Sequence, residues 1–182
     1  MPKIKLAILL AGALIAGSCT NHLVNFDQLP DGTPLQSWTG SPLNTGNPSV
    51  ITAQYASEGV STFDSTGGGV FLLLLQNTPT PPNAACPYGS GGLLNYGEPT
   101  TITLAQSTCN VWVTIPPGFG TVTVNAYDSN GNVLRTEATT GANAAPAANG
   151  GRRIHVNACG ITRVQLSGSN YCFDDFTWQE RW

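Results

Sequence analysis

The sequence predicts an all-β protein, an antiparallel β-sandwich of about ten short strands following an N-terminal leader. Three observations point there. Apolar residues come in strand-length runs, many alternating with polar ones, and no amphipathic helical pattern appears after the leader. Glycine (21) and proline (13) are scattered between these runs as turn punctuation. Charged residues are only 9% while 41% are hydrophobic, so the chain has the apolar content for a core despite its low charge. At 182 residues it suits one domain.

The chain opens with "MPKIKLAILLAGALIAGSC". Lys3 and Lys5 precede an apolar run from Leu6 to Ala16 and then small residues, the pattern of a secretory signal. The run is too short for a membrane-spanning helix. Residues 1–18 are therefore expected as a signal peptide, 19–22 as a tether and 23–182 as a single sandwich domain.

The first strand is expected at Leu23 to Phe26, stopped by Pro30-Asp31-Gly32. "SVITAQY" alternates, with Ile51, Ala53 and Tyr55 on one face, and "EGVSTFDS" follows with Val60 and Phe63. "GVFLLLLQ" is continuously apolar, as for a strand buried on both faces or under a loop. The Pro/Gly-rich stretch 77–92 reads as a long surface loop stapled through Cys86. "TTITL", "NVWVTIP", "TVTVNAYD" and "NVLRTE" give four more strands. In the second of these, Val111, Val113 and Ile115 face one way and Trp112 the other. Asn130-Gly131 marks a hairpin between the last two. Asp128 and Asn130 lack the further ligands of an EF-hand loop, so the hairpin reading prevails. After the low-complexity, flexible "ATTGANAAPAANGG", the runs "RRIHVN", "ITRVQL" and "YCFDDFTW" complete the strands.

Beyond the leader the chain has five arginines, no lysine and ten acids, with Arg152-Arg153 as its one adjacent basic pair. Nucleic-acid binding needs clustered cations and is excluded. Of the five cysteines, Cys86, Cys109, Cys159 and Cys172 form an even set suited to disulfides in an oxidising compartment. Four cysteines allow three pairings, and closure between neighbouring strands favours Cys86–Cys109 with Cys159–Cys172. A zinc site is disfavoured, because no C-x-x-C pair is present and His22 and His155 are far apart in sequence.

Ala16-Gly17-Ser18-Cys19 resembles the lipobox of bacterial lipoproteins, although Ala16 stands where leucine is usual. That resemblance implies lipidation of Cys19. Thr20, rather than the aspartate associated with inner-membrane retention, then implies an outer-membrane or cell-surface protein, or a periplasmic or secreted one without the lipid.

The segments "VNFDQLPDGTPL", "QYASEGVSTFD", "NAYDSNGNVL" and "GITRVQLSGSNYCFDDFTW" together resemble bacterial secreted jelly-roll domains of the galactose-binding-like, carbohydrate-binding-module type. The resemblance implies a jelly-roll sandwich with a sugar-binding, adhesive or structural role. Many relatives carry a C-terminal sorting tail, whereas this chain ends at Trp182, which fits an N-terminal lipid anchor. In calcium-bearing relatives an acid from the first strand and one from the last share a structural ion, and the matching positions are Asp27 and Asp174. On a regular last strand Asp174 would share the core face with Cys172, Phe176 and Trp178. A buried carboxylate there needs an ion or backbone donors.

Three functions fit these observations. A non-catalytic glycan-binding or adhesive module would use aromatic platforms, and the candidates are Trp38, Tyr88, Tyr96 and Trp112, each of which also suits a structural role. A glycan-active hydrolase or lyase would need paired carboxylates, with Glu58, Asp64 and Glu98 as candidates. No G-x-S-x-G, H-E-x-x-H or phosphate-loop motif is present, and His155, between Ile154 and Val156, reads as a solvent-face strand residue. A purely structural envelope component is the third. The first is favoured, with the membrane, reached through the lipid, and glycans or envelope proteins as partners.

Overall fold

The computed structural model describes residues 19–35, 50–74, 83–87, 89 and 96–181. The expected signal peptide, Trp38 and Tyr88 lie outside them. Within them the fold is all-β and sandwich-like, with eleven strands. These are β1 (Cys19–Val24), β2 (Val50–Ile51), β3 (Val60–Asp64), β4 (Val70–Leu74), β5 (Asn83–Pro87), β6 (Thr100–Ile115), β7 (Val122–Tyr127), β8 (Val133–Ala138), β9 (Ala144–Pro146), β10 (Arg152–Gly168) and β11 (Asp174–Arg181). Every pairing is antiparallel.

Two long strands organise the sandwich. "TTITL" and "NVWVTIP" are one 16-residue strand, β6, and "RRIHVN" and "ITRVQL" are one 17-residue strand, β10, where two strands each were expected. β6 and β10 pair along their length, with register shifts between Asn157 and Arg163. Beyond those irregularities each long strand takes new partners. One half of the sheet runs β1-β11-β6-β10 with β9 at its edge, and the other runs β3-β6-β10-β7-β8. Buried residues of both halves, Val111, Val113, Ile154 and Val156 on one side and Ile102, Leu166, Val122 and Val124 on the other, belong to a single core cluster. Bulges bend strands sharply, which lets one pair of strands serve both layers.

The small sheet β2-β4-β5 closes the core. Val70, Leu72 and Ala85 face the main cluster, while Leu73, Ala84 and Cys86 pack in a satellite cluster with Cys172, so this sheet is covered on both sides. The stretch expected as a surface loop thus contains a buried strand, β5, because pairing with β4 satisfies its backbone. The segment expected as flexible low complexity likewise holds β9 and a short 3₁₀ turn at Ala148–Gly150. "SVITAQY" supplies only the two residues of β2 before the chain turns into a 3₁₀ turn at Ala56–Glu58. Residues 19–22, expected as a tether, are part of β1, with Cys19 opposite Arg181 and His22 opposite Trp178. At the β7–β8 hairpin Gly131 has φ +85°, and Asp128 Oδ1 accepts from the backbone N–H of Asn130 (2.9 Å) and Asn132 (2.8 Å). Asn130 stays at negative φ, so the connection is a longer Asx-type loop rather than a two-residue turn.

The disulfides join Cys86 to Cys172 and Cys109 to Cys159, which overturns the expected Cys86–Cys109 and Cys159–Cys172 pairs. Strands adjacent in sequence are not adjacent in this sheet. β6 pairs with β10, so Cys109 faces the bulged residues around Cys159. Ala85 and Phe173 exchange backbone hydrogen bonds at 2.8 Å, which brings Cys86 to Cys172 one residue away on each side.

Candidate functional site

The half-sheet β1-β11-β6-β10 turns one face to the core and the other outward. Residues directly opposite in antiparallel strands share a face, so the register lays the outer face out as rows. Leu23, Thr177, Trp112 and His155 form one row, and Asn21, Gln179, Asn110 and Asn157 the next. A third row holds Asp174, Thr114 and Arg153.

Trp112 and His155 stack across the β6–β10 pair, with centroids 4.6 Å apart and planes 6° from parallel. The Arg153 guanidinium carbon lies 5.6 Å from the Trp112 ring centre. His155 Nε2 donates to Asn110 Oδ1 at 3.0 Å, and Asn110 Nδ2 donates to Gln179 Oε1 at 2.9 Å, so a polar chain crosses three strands. Burial lowers the His155 pKa, and the neighbouring Arg153 charge adds to this while Glu137 works against it. The imidazole is therefore neutral at neutral pH. Beside the stack, Asn21, Leu23, Thr114, Arg153, Asp175, Thr177 and the Pro146–Ala148 stretch enclose a groove of about 550 Å³.

A second polar cluster sits where β1 leaves the sheet. The backbone N–H of Asn83 donates to Asp27 Oδ1 at 3.2 Å, and Asn83 Nδ2 donates to the Phe26 carbonyl at 3.2 Å. Burial raises the Asp27 pKa, the Asn83 hydrogen bond opposes this, and the nearby Asp175 charge adds to the rise. Asn83 is buried and, among the described residues, its Oδ1 has no hydrogen-bond partner. Among the described residues, two of the three non-glycine positions at positive φ, Phe26 (60°) and Asp175 (45°), belong to this corner. Phe26 is held there by aromatic contacts to Phe173 (5.4 Å), Phe63 (5.5 Å) and Tyr55 (6.1 Å). The donor set is oxygen only, which suits a hard cation. Among the described residues, no three His, Cys, Asp or Glu side chains gather at metal-binding distances, so any ion would draw on amide and backbone oxygens as well.

The expected face of Asp174 is corrected by β11 itself. Asp174 opposes Thr114 and Thr177 opposes Trp112, so three steps along β11 match two along β6. This bulge, at left-handed Asp175, puts Asp174 on the face of Thr177 rather than with Phe176 and Trp178. Asp174 is nonetheless fully buried, with its Oδ1 accepting from the Asp175 N–H at 2.8 Å.

The remaining candidates fall elsewhere. Tyr96 packs on the satellite cluster and lies 6.4 Å from Phe119, away from Trp112, and its carbonyl accepts from the Tyr171 N–H. Glu58 lies before β3 and Asp64 is its last residue, more than about 13 Å apart along the strand, wider than the carboxylate pairs of glycosidases. Glu98 Oε2 accepts from the Thr66 hydroxyl at 2.6 Å. His22 faces inward, stacked on Trp178 at 4.9 Å and 3.5 Å from Glu180. Arg153, Asn110, Gln179 and Asn83 were not singled out in the sequence as site residues. Only Arg153, in the lone basic pair, carried a signal there.

Fold and disulfides together define a disulfide-stapled β-sandwich protein of an extracellular or periplasmic environment. No helix among the described residues is long and apolar enough to cross a membrane. No protein family's sequence model matches the chain, and no curated protein matches it. Among solved structures it is similar to a glycoside hydrolase family 43 arabinoxylan arabinofuranohydrolase from Bacillus subtilis in complex with cellotetraose. The identity is 14% over 87% of this chain and 32% of that chain, with a TM-score of 0.34. It is also similar to the enzymatically active domain of Bacteriophage CBA120 tailspike protein 4, at 13% identity over 90% of this chain and 19% of that chain, with a TM-score of 0.27. The chain spans under a third of the first and under a fifth of the second, and scores this low bear on neither fold nor activity.

Proposed function

We propose that the protein is an exported, lipid-anchored, non-catalytic surface module that binds glycans on the outer face of β11-β6-β10. The observation that carries this reading is the half-buried Trp112 on the outer face, in contact with Arg153, which lines a groove walled by hydrogen-bonding side chains. A pyranose needs an apolar surface for its C–H face and paired donors and acceptors for its hydroxyls. Trp112 supplies the first, and Asn21, Thr114, Thr177 and Gln179 supply the second from rigid strands. A groove of about 550 Å³ is of small-ligand size.

Cys19 carries the lipid in this reading. Because β1 begins at Cys19, a lipidated domain sits directly on the membrane without a slack tether. A calcium ion held by Asp27, Asp174 and Asn83 Oδ1 ties the exit of β1 to β11. The buried Asn83 oxygen, unpartnered among the described residues, beside Asp27 with its raised pKa supports this. The ion is structural and no chemistry passes through it.

A glycan array of the mature protein, with a hydrolysis assay on the same sugars, tests the reading. Binding without turnover is expected. Turnover would make the protein an enzyme, and neither binding nor turnover would leave a structural envelope component.

A further inference from the structure

We infer that the sugar taken by this face carries a carboxylate, a uronic acid in an acidic polysaccharide; the inference rests on the glycan-binding reading above. Arg153 lines the groove and is exposed, and among the described residues it makes no ion pair. Arg135, by contrast, is paired with Glu137 at 2.6 Å. The Arg153 guanidinium rests against the Trp112 ring, a contact that fixes its position and leaves its N–H fork to the groove. A preorganised guanidinium on an aromatic wall matches a carboxylate through two parallel charge-assisted hydrogen bonds. A neutral sugar cannot use that fork in this way.

The rest of the groove agrees in sign and spacing. Thr114 separates Arg153 from Asp174 across two strand spacings, about 10 Å. Asp175, next to Asp174, borders the same groove. A sugar ring laid between them points its carboxylate at Arg153 and its hydroxyls at Asp175, Thr177 and Asn21. The like charge of Asp175 disfavours the reverse orientation, so the groove sets polarity as well as class. His155 and the Asn110–Gln179 chain are uncharged and add no competing anion near Arg153.

The test titrates the mature protein with oligosaccharides of polygalacturonate, alginate, hyaluronan and glucuronoxylan, each beside its carboxyl-reduced form. At least one acidic member is expected to bind about tenfold or more tightly than its reduced partner, with an affinity that falls as salt rises. Arg153→Gln is expected to equalise the two and Arg153→Lys to keep part of the difference. Arg152→Gln, on the opposite face of the same strand, leaves the preference intact. Equal binding of acidic and reduced forms, or a preference that survives Arg153→Gln in a normally folded variant, overturns the inference. Trp112-dependent binding of neutral glycans alone also overturns it and leaves the glycan-binding reading standing, whereas binding to no glycan removes both.

Discussion

Trp112 and His155 stand ring to ring on the outer face of adjacent long strands, 4.6 Å apart and 6° from parallel. The pair is supported by the Arg153 guanidinium near the Trp112 ring and by the hydrogen bond from His155 to Asn110. Such a support fixes an indole on a rigid sheet rather than on a loop, which suits ligand contact. Trp112→Ala is expected to weaken glycan binding at least about tenfold while lowering stability by about 1 kcal/mol, the scale of one cross-strand aromatic pair. Binding isotherms and urea melts of the variant read both numbers.

The two disulfides make different contributions. Cys86–Cys172 closes the longer loop, 86 residues apart in sequence, and fastens the small sheet to the chain entering β11. Cys109–Cys159 pins the bulge between β6 and β10. Non-reducing peptide mapping is expected to recover these two links and neither alternative pairing. Loss of either should cost about 2–5 kcal/mol in denaturant melts, with the longer loop at the upper end.

Asp27 gives a pH signature whose sign reverses with calcium. Burial raises its folded pKa above the ordinary value, so without an ion the folded state binds the proton more tightly than the unfolded chain. Stability in chelator should therefore decline as pH rises from the ordinary carboxylate value through the raised one. Asp27→Asn should abolish that decline. With calcium bound the ionised carboxylate is favoured, so added calcium should raise the melting temperature at neutral pH, by the equivalent of about 2.7 kcal/mol at a hundredfold excess over Kd. A melt indifferent to chelator at neutral pH would remove the ion from the account.

Asp175 occupies φ 45° at the β11 bulge. Aspartate and asparagine tolerate that region and β-branched residues do not. Asp175→Asn is expected to be mild in calcium-free buffer, and Asp175→Val to cost about 1–2 kcal/mol more. Equal melting temperatures for the two variants would contradict the bulge.

Local pattern was legible in the sequence where one face is buried. The alternation of Val122, Val124 and Ala126, and of Val111, Val113 and Ile115 against Trp112, reads directly into β7 and β6. What depends on register was not. The continuity of β6 and β10 through their bends is set by the partners they exchange, so each read as two strands. Disulfide pairing follows sheet order, which places β6 beside β10 rather than beside its sequence neighbours. One extra residue at Asp175 moved Asp174 off the face that regular alternation assigns it. His155 read correctly as a face-out strand residue, but its stack on Trp112 needed the β6–β10 register.

Lipidation is checked at the N-terminus. Mass spectrometry of the native protein is expected to find a mature chain starting at acylated Cys19, with more than one acyl chain for stable anchoring. An unmodified Cys19, or a different start, would detach the protein from the membrane.

The central claim is that the outer face of β11-β6-β10 meets the glycan, and indole N–H signals in a heteronuclear NMR titration test it most directly. Trp112 is half-exposed on that face, while Trp178 is buried against Phe176 and His22. Addition of a bound glycan should shift the Trp112 indole together with the backbone amides of Asn110, Arg153, His155 and Thr177, leaving the Trp178 indole in place. Saturable binding that leaves the Trp112 indole and those amides unmoved would put the site elsewhere and contradict the account.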